Sequence, residues 1–270
     1  MITRGISIAS KGMQSLLDMN DTIANNLANV NTSGFKKSAL TFKNIYDARI
    51  EQASAGQGIK TADYRYLGNL SMGSATDRSM VAFTQGTLSR TGNPMDVAIE
   101  GDGFFKIQDV DGKISYTRNG QFCVNNQNKL VTKDGEYVLD IKNKKIDVDL
   151  EKNQTTLDQI VFREKGQIVI NNPKNPQMLQ QIAIYDFSDK ENLVPNGNAK
   201  FIPSNPDVNP QLIAEKFNLQ QGSIELSNTS TINEMINSIN VSRTYETLSK
   251  MVKEDSNLLD VAINMGRVRL

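Results

Sequence analysis

The side chains that most often carry out chemistry in proteins are scarce in this sequence of 270 residues. It contains no histidine, so it lacks the commonest general base near neutral pH and the commonest metal ligand. A Ser-His-Asp triad and a histidine-based zinc site are both excluded. The single cysteine, Cys123, lies between Phe122 and Val124 in a predicted strand. We interpret it as a small buried apolar residue, because no histidine is present to activate a cysteine nucleophile.

Two acidic, glycine-containing segments have the residue types of ligand-binding loops. Asp109-Val-Asp-Gly112 matches the start of a calcium loop, but the twelfth position, where a bidentate Glu is required, holds Gly120. Gly101-Asp-Gly103 follows a predicted strand, as a phosphate-binding loop would, yet it leads into Phe104 and a second strand instead of a helix amino terminus. Both segments are therefore predicted to be turns. We expect no catalytic site, no bound metal and no cofactor.

The overall composition argues against two classes of partner. Lys plus Arg and Asp plus Glu each number 30, so the formal net charge is zero. No basic run offers a footprint for phosphates, and a chain without Trp supplies few stacking surfaces for bases. No stretch approaches the roughly 18 apolar residues that span a bilayer, and the amino terminus lacks a signal-peptide core. We expect neither nucleic-acid binding nor membrane insertion, and either a cytosolic location or export without a cleaved signal.

The pattern of apolar residues changes along the chain and predicts four segments. These are an amino-terminal helix (1–34), a loop or extended arm (35–80), a central β-domain (81–225) and a carboxy-terminal helix (226–270). In the β-domain, Met95, Val97 and Ile99 alternate with other residues, which predicts a strand with one face toward a core. The predicted fold class is α+β, mainly β: an antiparallel sandwich or barrel-like domain flanked by coiled-coil-forming helices.

The apolar residues of the first helix recur at alternating steps of four and three, which is the heptad period of a coiled-coil seam. The seam consists of Ile2, Ile6, Ala9, Met13, Leu16, Ile23, Leu27 and Val30, with Asn20 in its one polar position. Asn at such a position typically fixes the register of packed helices. Gly34 is predicted to end the helix in a left-handed conformation, with Phe35 folding back onto Val30.

The last helix has a seam of the same kind. It opens at Thr231-Ile-Asn-Glu234, which has the spacing of a capping box. Its seam consists of Val241, Tyr245, Leu248, Val252, Leu259 and Ala262, with Asp255 in the remaining position. Ile232, Met235, Ile236 and Ile239 are out of phase with these residues. We therefore expect the seam to shift near residue 240.

The two seams are compatible with two arrangements. The helices could form an intramolecular hairpin or pack on the β-domain, or they could form coiled coils between copies of the chain. Gly5 and Gly12 lie beside the first seam, where they would permit close helix approach at roughly 1 kcal/mol each in helix propensity. A helix weakened in this way should depend on its partners to form.

Motifs along the whole chain resemble the bacterial flagellar rod and hook proteins. Ile23–Lys36 resembles the amino-terminal signature of that family, Thr91–Phe105 and Tyr116–Phe122 its central motif, and Gly222–Asn228 and Ser242–Glu246 its carboxy-terminal part. The positions that match the motifs are Asn25, Asn26, Asn29, Gly34, Phe35, Asp96, Gly101, Gly103, Phe104 and Arg118.

The resemblance implies a non-enzymatic axial subunit of the flagellum. Such a subunit would leave the cytoplasm through the flagellar export apparatus and assemble with its own copies and other rod and hook proteins. It would form a basal-body tube crossing the periplasm that transmits torque and lets later subunits pass. The single β-domain favours a rod protein, the distal rod before the proximal rod. The alternatives are a hook-type or proximal-rod subunit, or a β-domain binding module with a dimerising helical stalk.

Overall fold

The computed structural model describes residues 2–54, 63–148, 156–170, 177–205, 210–212 and 217–267. The chain forms two compact units. The terminal unit consists of Met1–Leu27, Ser38–Met80 and Thr231–Leu270, and the β-unit consists of Ala28–Lys37 and Val81–Ser230. Long helices at both ends and an antiparallel β-region between them confirm the predicted α+β class.

The terminal unit contains two helices and two long strands. These elements are α1 (Ile2–Ala28), β1 (Ser38–Ser54), β2 (Asp63–Val81) and α2 (Thr231–Arg267). β1 pairs with β2, and the Thr41 hydroxyl donates to the Arg78 carbonyl at 3.0 Å. The segment predicted as a loop or extended arm (35–80) thus contains two long strands, which satisfy each other's backbone groups even where Gly68 and Gly73 interrupt the apolar pattern.

α1 ends earlier than the sequence predicted. It stops at Ala28, well before Gly34. The buried amide of Asn26 donates to the Ser38 carbonyl at 2.8 Å and accepts from the Ser38 N–H at 2.9 Å. Gly34 has the expected positive φ of 71°, but its N–H donates to the Glu225 carbonyl at 2.8 Å. Its conformation therefore serves a contact between distant segments and not the end of a helix.

The β-unit is built from short antiparallel strands. They are β3 (Leu88–Arg90), β4 (Val97–Gly101), β5 (Phe104–Gln108), β6 (Ile114–Thr117), β7 (Phe122–Val124), β8 (Leu130–Thr132), β9 (Tyr137–Val138), β10 (Ile160–Phe162), β11 (Gln167–Ile170), β12 (Gln177–Gln181), β13 (Ile184–Asp186), β14 (Leu193–Pro195), β15 (Lys200–Pro203), β16 (Gln211–Leu212), β17 (Phe217–Gln221) and β18 (Ser223–Glu225). The largest sheet has the order β14-β15-β6-β5-β9-β8-β7, with β13 joining β5 to β16. β10, β11 and β12 form a second sheet, and β4 pairs with β17 and β3 with β18.

Two apolar clusters form the core of the β-unit. The larger is mainly aliphatic and includes Val97, Ile99, Leu130, Ile146 and Ile168. The smaller is mainly aromatic and contains Phe104, Tyr116, Ala183, Tyr185, Phe187, Leu193 and Phe201. Its rings meet edge to face, as in the Tyr116–Phe187 pair with centroids 4.8 Å apart, which is the geometry that aromatic quadrupoles favour.

Five turns of the β-unit share one backbone geometry. Each turn has five residues. The N–H of its first residue donates to the carbonyl of its fifth residue, and the N–H of its fourth residue donates to the carbonyl of its first residue. The turns span 109–113, 125–129, 132–136, 140–144 and 163–167, and their fourth residues, all at positive φ, are Gly112, Asn128, Gly135, Asn143 and Gly166. Gly and Asn adopt this conformation at low cost. The predicted hairpin turn at Asp109–Gly112 is confirmed.

Two details of the β-unit differ from the sequence analysis. Val97, Ala98 and Ile99 are all fully buried, so β4 is covered on both faces and the alternation in its sequence does not mark a solvent-facing side. Cys123 is exposed, because β7 presents Phe122 to the core and turns the neighbouring side chain away from it.

The aromatic cluster should give the β-unit a specific sensitivity to alkaline pH. Burial, with a smaller contribution from Tyr185, raises the pKa of the Tyr116 phenol to about 12. Between pH ~10 and ~12 the unfolded chain loses a proton that the folded chain retains, so the free energy of unfolding falls as pH rises through this interval. In urea unfolding at several pH values, Tyr116→Phe should reduce this alkaline loss. An equal loss in the variant would contradict the assignment.

Candidate functional site

Within the terminal unit, one face of α2 packs against α1. Ser238 donates to Asn20 Oδ1 at 3.3 Å. A Cβ built on Gly12 would lie 3.6 Å from Leu248 Cδ1, and one built on Gly5 would lie 3.3 Å from Asp255 Oδ2. Along this contact the residue numbers rise in α1 and fall in α2, so the two helices are antiparallel. The polar Asn20 meets a polar partner, as a register-fixing residue should.

Three residues of the predicted seams, Asn20, Leu248 and Asp255, lie at this contact. In α2, Val241 is buried and Leu248, Val252, Asp255 and Leu259 are half-buried, whereas Tyr245 and Ala262 are exposed. In the first seam, Ala9 and Ile23 are buried, and Ile6, Met13, Leu16, Asn20, Leu27 and Val30 are half-buried. The side chain of Ile2 lies outside the described residues. Within one chain the seams thus take part in an antiparallel helix pair, and their use between copies stays a prediction.

The opposite side of α2 exposes a second apolar surface, which we call the outer stripe. It consists of Ile232, Met235, Ile236, Ile239, Met251, Leu258, Val261 and Met265, all at least half exposed. At about 100° per residue, Ile232, Ile236, Ile239 and Val261 point away from Val241 and the seam, and Met251 and Leu258 lie on the flank beside them. Arg243, Glu246 and Lys250 occupy the same side between Ile239 and Met251 and divide the stripe into two patches.

The outer stripe corrects the interpretation of residues 232–239. Their phase differs from that of the seam because they belong to another face of α2, not because the seam shifts near residue 240. Side chains spaced at i, i+3, i+4 and i+7 on an exposed face are the anchors of helix-in-groove contacts. Contiguous exposed apolar side chains of this kind are typical of binding surfaces.

The β-unit contains a buried cluster of three charged residues, which we call the ionic junction. Lys36 Nζ donates to Glu225 Oε1 at 2.6 Å and to the Thr84 carbonyl at 2.8 Å. Arg118 Nη1 donates to Glu225 Oε2 at 3.3 Å, and the Gly86 N–H donates to Glu225 Oε1 at 2.8 Å. The three charged side chains are at most 2% exposed. One carboxylate therefore compensates two buried cations.

Electrostatics makes Glu225 the key member of this junction. Burial lowers the pKa of the Lys36 ammonium, and the charge and hydrogen bond of Glu225 oppose that effect. The charge of Arg118 lowers the pKa of Lys36 further. Buried charges are tolerated only when they are paired and hydrogen-bonded, so removal of Glu225 would leave both cations uncompensated.

Neutral contacts close the same junction. The Asn228 side chain accepts from the Lys37 N–H at 2.7 Å and donates to the carbonyls of Ala82 at 2.8 Å and Thr84 at 3.1 Å. The Ala82 N–H in turn donates to the Lys37 carbonyl at 2.8 Å. The early, middle and late parts of the sequence are thereby joined at one place.

The remaining motif residues shape the β-unit around the junction. Buried Asp96 accepts from the Thr91 hydroxyl at 2.7 Å and from the Asn93 amide at 3.1 Å. Gly101 and Gly103, both at positive φ, form the predicted turn between β4 and β5. Phe104 is fully buried and lies 5.2 Å from the Arg118 guanidinium.

Two amino-terminal motif positions are less enclosed than Asn26. Asn25 is exposed and Phe35 is half-buried, while Asn29 accepts from the Thr32 hydroxyl at 3.2 Å. Lys36, Glu225 and Asn228 were missed as individual site residues. The sequence signal for these three residues was their position within the family motifs, because polar and charged side chains carry no apolar periodicity.

Gly34 allows two backbone segments to approach closely, and its replacement should be costly. A Cβ at Gly34 would lie 2.5 Å from Asn119 N, with φ at +71°. We expect Gly34→Ala to lower the free energy of unfolding by at least about 3 kcal/mol. Gly135→Ala is the matched control, because Gly135 has φ +87° and no atom within 4 Å, and should cost about 1–2 kcal/mol. Equal losses in urea unfolding would show that the close approach does not matter.

Two other features, a metal-binding group and a membrane-spanning helix, are absent from the described residues. They contain no group of three or more side chains able to hold a metal ion. Within the same residues, no helix is both long and apolar enough to cross a membrane.

Comparison with known proteins gives matches along most of the chain. Residues 6–36 match the family described as flagella basal body rod protein. Residues 98–171 match the D1 domain of the flagellar hook protein FlgE/F/G, and residues 220–265 match the carboxy-terminal domain of the flagellar basal body rod FlgEFG proteins.

Full-length relatives agree with these matches. The chain is 35% identical to the flagellar basal-body rod protein FlgG of Borreliella burgdorferi, over 98% of this chain and 99% of the relative. It is 29% identical to FlgG of Bacillus subtilis over the same shares. The rod protein FlgF of Caulobacter vibrioides is 32% identical over 92% of each chain.

Proposed function

Because this chain belongs to the flagellar basal-body rod protein family, we propose that it assembles with copies of itself and with other axial proteins into a helical tube. It is a structural subunit of the basal-body rod. The tube transmits torque and lets exported subunits pass through its channel. The subunit reaches this position through the flagellar export apparatus and has no enzymatic activity. The resemblance of residues 24–29 and 96–99 to distal rod proteins favours the distal position.

The outer stripe of α2 is the observation that carries this proposal. Within one chain the seam of α2 is used against α1, whereas the stripe remains exposed. Burial of each large apolar side chain contributes about 1.5–3 kcal/mol, so repeated copies of one helix contact supply a large driving force. A contact between different surfaces of identical subunits generates a helical polymer when the rotation between neighbours does not close a ring.

Deletion of the gene tests the assignment to the rod. We expect the deletion strain to be non-motile and its purified basal bodies, viewed by electron microscopy, to lack the distal part of the rod and the hook. Expression of the intact chain should restore both. A normal hook and filament in the deletion strain would refute the proposal.

Sedimentation of the purified chain tests self-assembly separately. Growth of ever larger species with rising concentration is expected for a tube. Arrest at a dimer would instead favour a binding module with a dimerising helical stalk.

A further inference from the structure

Two of the five similar turns carry opposite charges at one equivalent position, the third. The acidic turn, Asp109-Val-Asp-Gly-Lys113, and the basic turn, Asp140-Ile-Lys-Asn-Lys144, correspond residue by residue. The third residue is Asp111 in one and Lys142 in the other. Lys145 follows the basic turn, and its ammonium lies within the chain over the ring of Tyr137, 3.6 Å from the ring centroid. The same backbone therefore presents a carboxylate in one place and an ammonium in another.

The backbone of both turns is held in place by hydrogen bonds. The side chain of Asp109 accepts from the Val110 N–H at 2.7 Å, and the side chain of Asp140 accepts from the Lys144 N–H at 2.7 Å. Lys106 Nζ also donates to Asn143 Oδ1 at 2.7 Å. Binding through these turns would thus cost little ordering of the backbone.

The two turns lie at opposite ends of β5. The acidic turn follows Gln108, the last residue of that strand. β9 runs antiparallel to β5, with Tyr137 opposite Gln108 and Val138 opposite Ile107. The Leu139 N–H donates to the Lys106 carbonyl, so the chain approaches the start of β5 as it enters the basic turn. One end of the strand is therefore acidic and the other basic.

The charged side chains at the tips of these turns have no ion-pair partner in the part of the chain that the structure describes. Among the described residues, Asp111, Lys142 and Lys144 are exposed and take part in no ion pair. Elsewhere on the β-unit some surface charges are paired, as in Lys129–Asp147 at 2.6 Å and Lys190–Asp102 at 2.6 Å. Unpaired opposite charges at two ends of one unit are complementary between copies.

We propose that the basic turn of one copy binds the acidic turn of the next copy in the assembled rod. This inference rests on the proposed self-assembly and adds a contact between β-units to the helix contacts. Val110 is 79% exposed and occupies the second turn position, whereas Ile141, at the same position of the basic turn, is half-buried against the aromatic cluster. The contact between the turns therefore rests on their charges. Because the contact joins two different surfaces, each copy can bind one neighbour through its basic turn and another through its acidic turn, as a helical polymer requires.

Charge reversal and its rescue test the contact in the full-length chain. Lys142→Glu should raise the critical concentration for assembly, measured by light scattering at low ionic strength, roughly three- to tenfold, because an attraction becomes a repulsion. The difference should shrink in about 0.5 M salt. Addition of Asp111→Lys to this variant should restore assembly. Lys165→Glu, at the equivalent position of the 163–167 turn, is the control and should have little effect.

Disulfide trapping gives a second measurement. In a Cys123→Ser background, the double variant Asp111→Cys and Lys142→Cys should form chains of linked subunits on oxidation of the assembled protein, while either single variant should not. If the wild type assembles and neither reversal nor trapping has an effect, the contact is refuted and the helix-based assembly stands. Loss of assembly that Asp111→Lys does not rescue also refutes it and indicates another anionic partner. If the wild type does not assemble, the proposed self-assembly itself fails.

Discussion

Replacement of Glu225 by glutamine is expected to lower the free energy of unfolding of the β-unit by about 3–5 kcal/mol. Glutamine has nearly the same shape and can still accept the Gly86 N–H, but it cannot compensate the charges of Lys36 and Arg118. Urea unfolding followed by circular dichroism, with amide exchange of the β-unit, measures the loss. Asp147→Asn is the control, because it removes one partner of the exposed Lys129 pair and should cost at most about 1 kcal/mol.

The pH dependence of the Glu225→Gln variant provides an independent signature. Burial already lowers the pKa of Lys36 from its ordinary value of 10.5, and loss of the carboxylate should lower it further. In the interval between the folded and unfolded pKa values, the unfolded chain binds more protons, so the free energy of unfolding rises with pH. The deficit of the variant should therefore shrink toward pH ~10. A deficit no larger than that of Asp147→Asn would contradict the role of the junction.

Two aspartates placed in the outer stripe are expected to abolish assembly of the rod. Ile236→Asp combined with Val261→Asp removes one apolar side chain from each patch. Both side chains are at least half exposed in the single chain. Loss of about 1.5–3 kcal/mol per side chain would weaken each helix contact roughly 10²- to 10⁴-fold. A deletion strain carrying this variant should be non-motile, as measured by swimming and by microscopy of basal bodies.

The matched control places the same charges elsewhere on α2. Ser242→Asp combined with Ser249→Asp introduces two carboxylates at exposed positions on the flank of the helix between the seam and the stripe. This variant should swim, and both variants should keep a folded β-unit in amide exchange. Normal motility of the Ile236/Val261 variant would remove the outer stripe from the assembly surface.

The sequence predicted those features of the fold that have a local pattern. The steps of four and three indicated both helices, and Leu248 of the second seam does lie beside Gly12 of α1. Gly and Asn between apolar runs indicated the turns, because few residues adopt a positive φ. The end of α1 was predicted too late in the sequence. Gly34 has the positive φ of a helix cap, but this conformation serves its close approach to Asn119.

Features that depend on distant parts of the chain could not be predicted in this way. Lys36 and Glu225 are separated by 189 positions, and no periodicity connects two charged residues that meet only in the folded protein. The outer stripe was visible as an irregularity in phase, but only the packing of α2 on α1 shows that it belongs to a separate face.

The ionic junction also sets the order in which the β-unit can be completed during synthesis. Lys36 and Arg118 are synthesised long before Glu225, and β3 and β4 pair with β18 and β17, which come more than 100 residues later in the chain. Until those strands arrive, the nascent chain has two cations to bury without their carboxylate and two strands without partners. The β-unit therefore cannot complete its native pairing before residues 217–225 have been synthesised, and a chain interrupted before residue 217 lacks both these strands and Glu225.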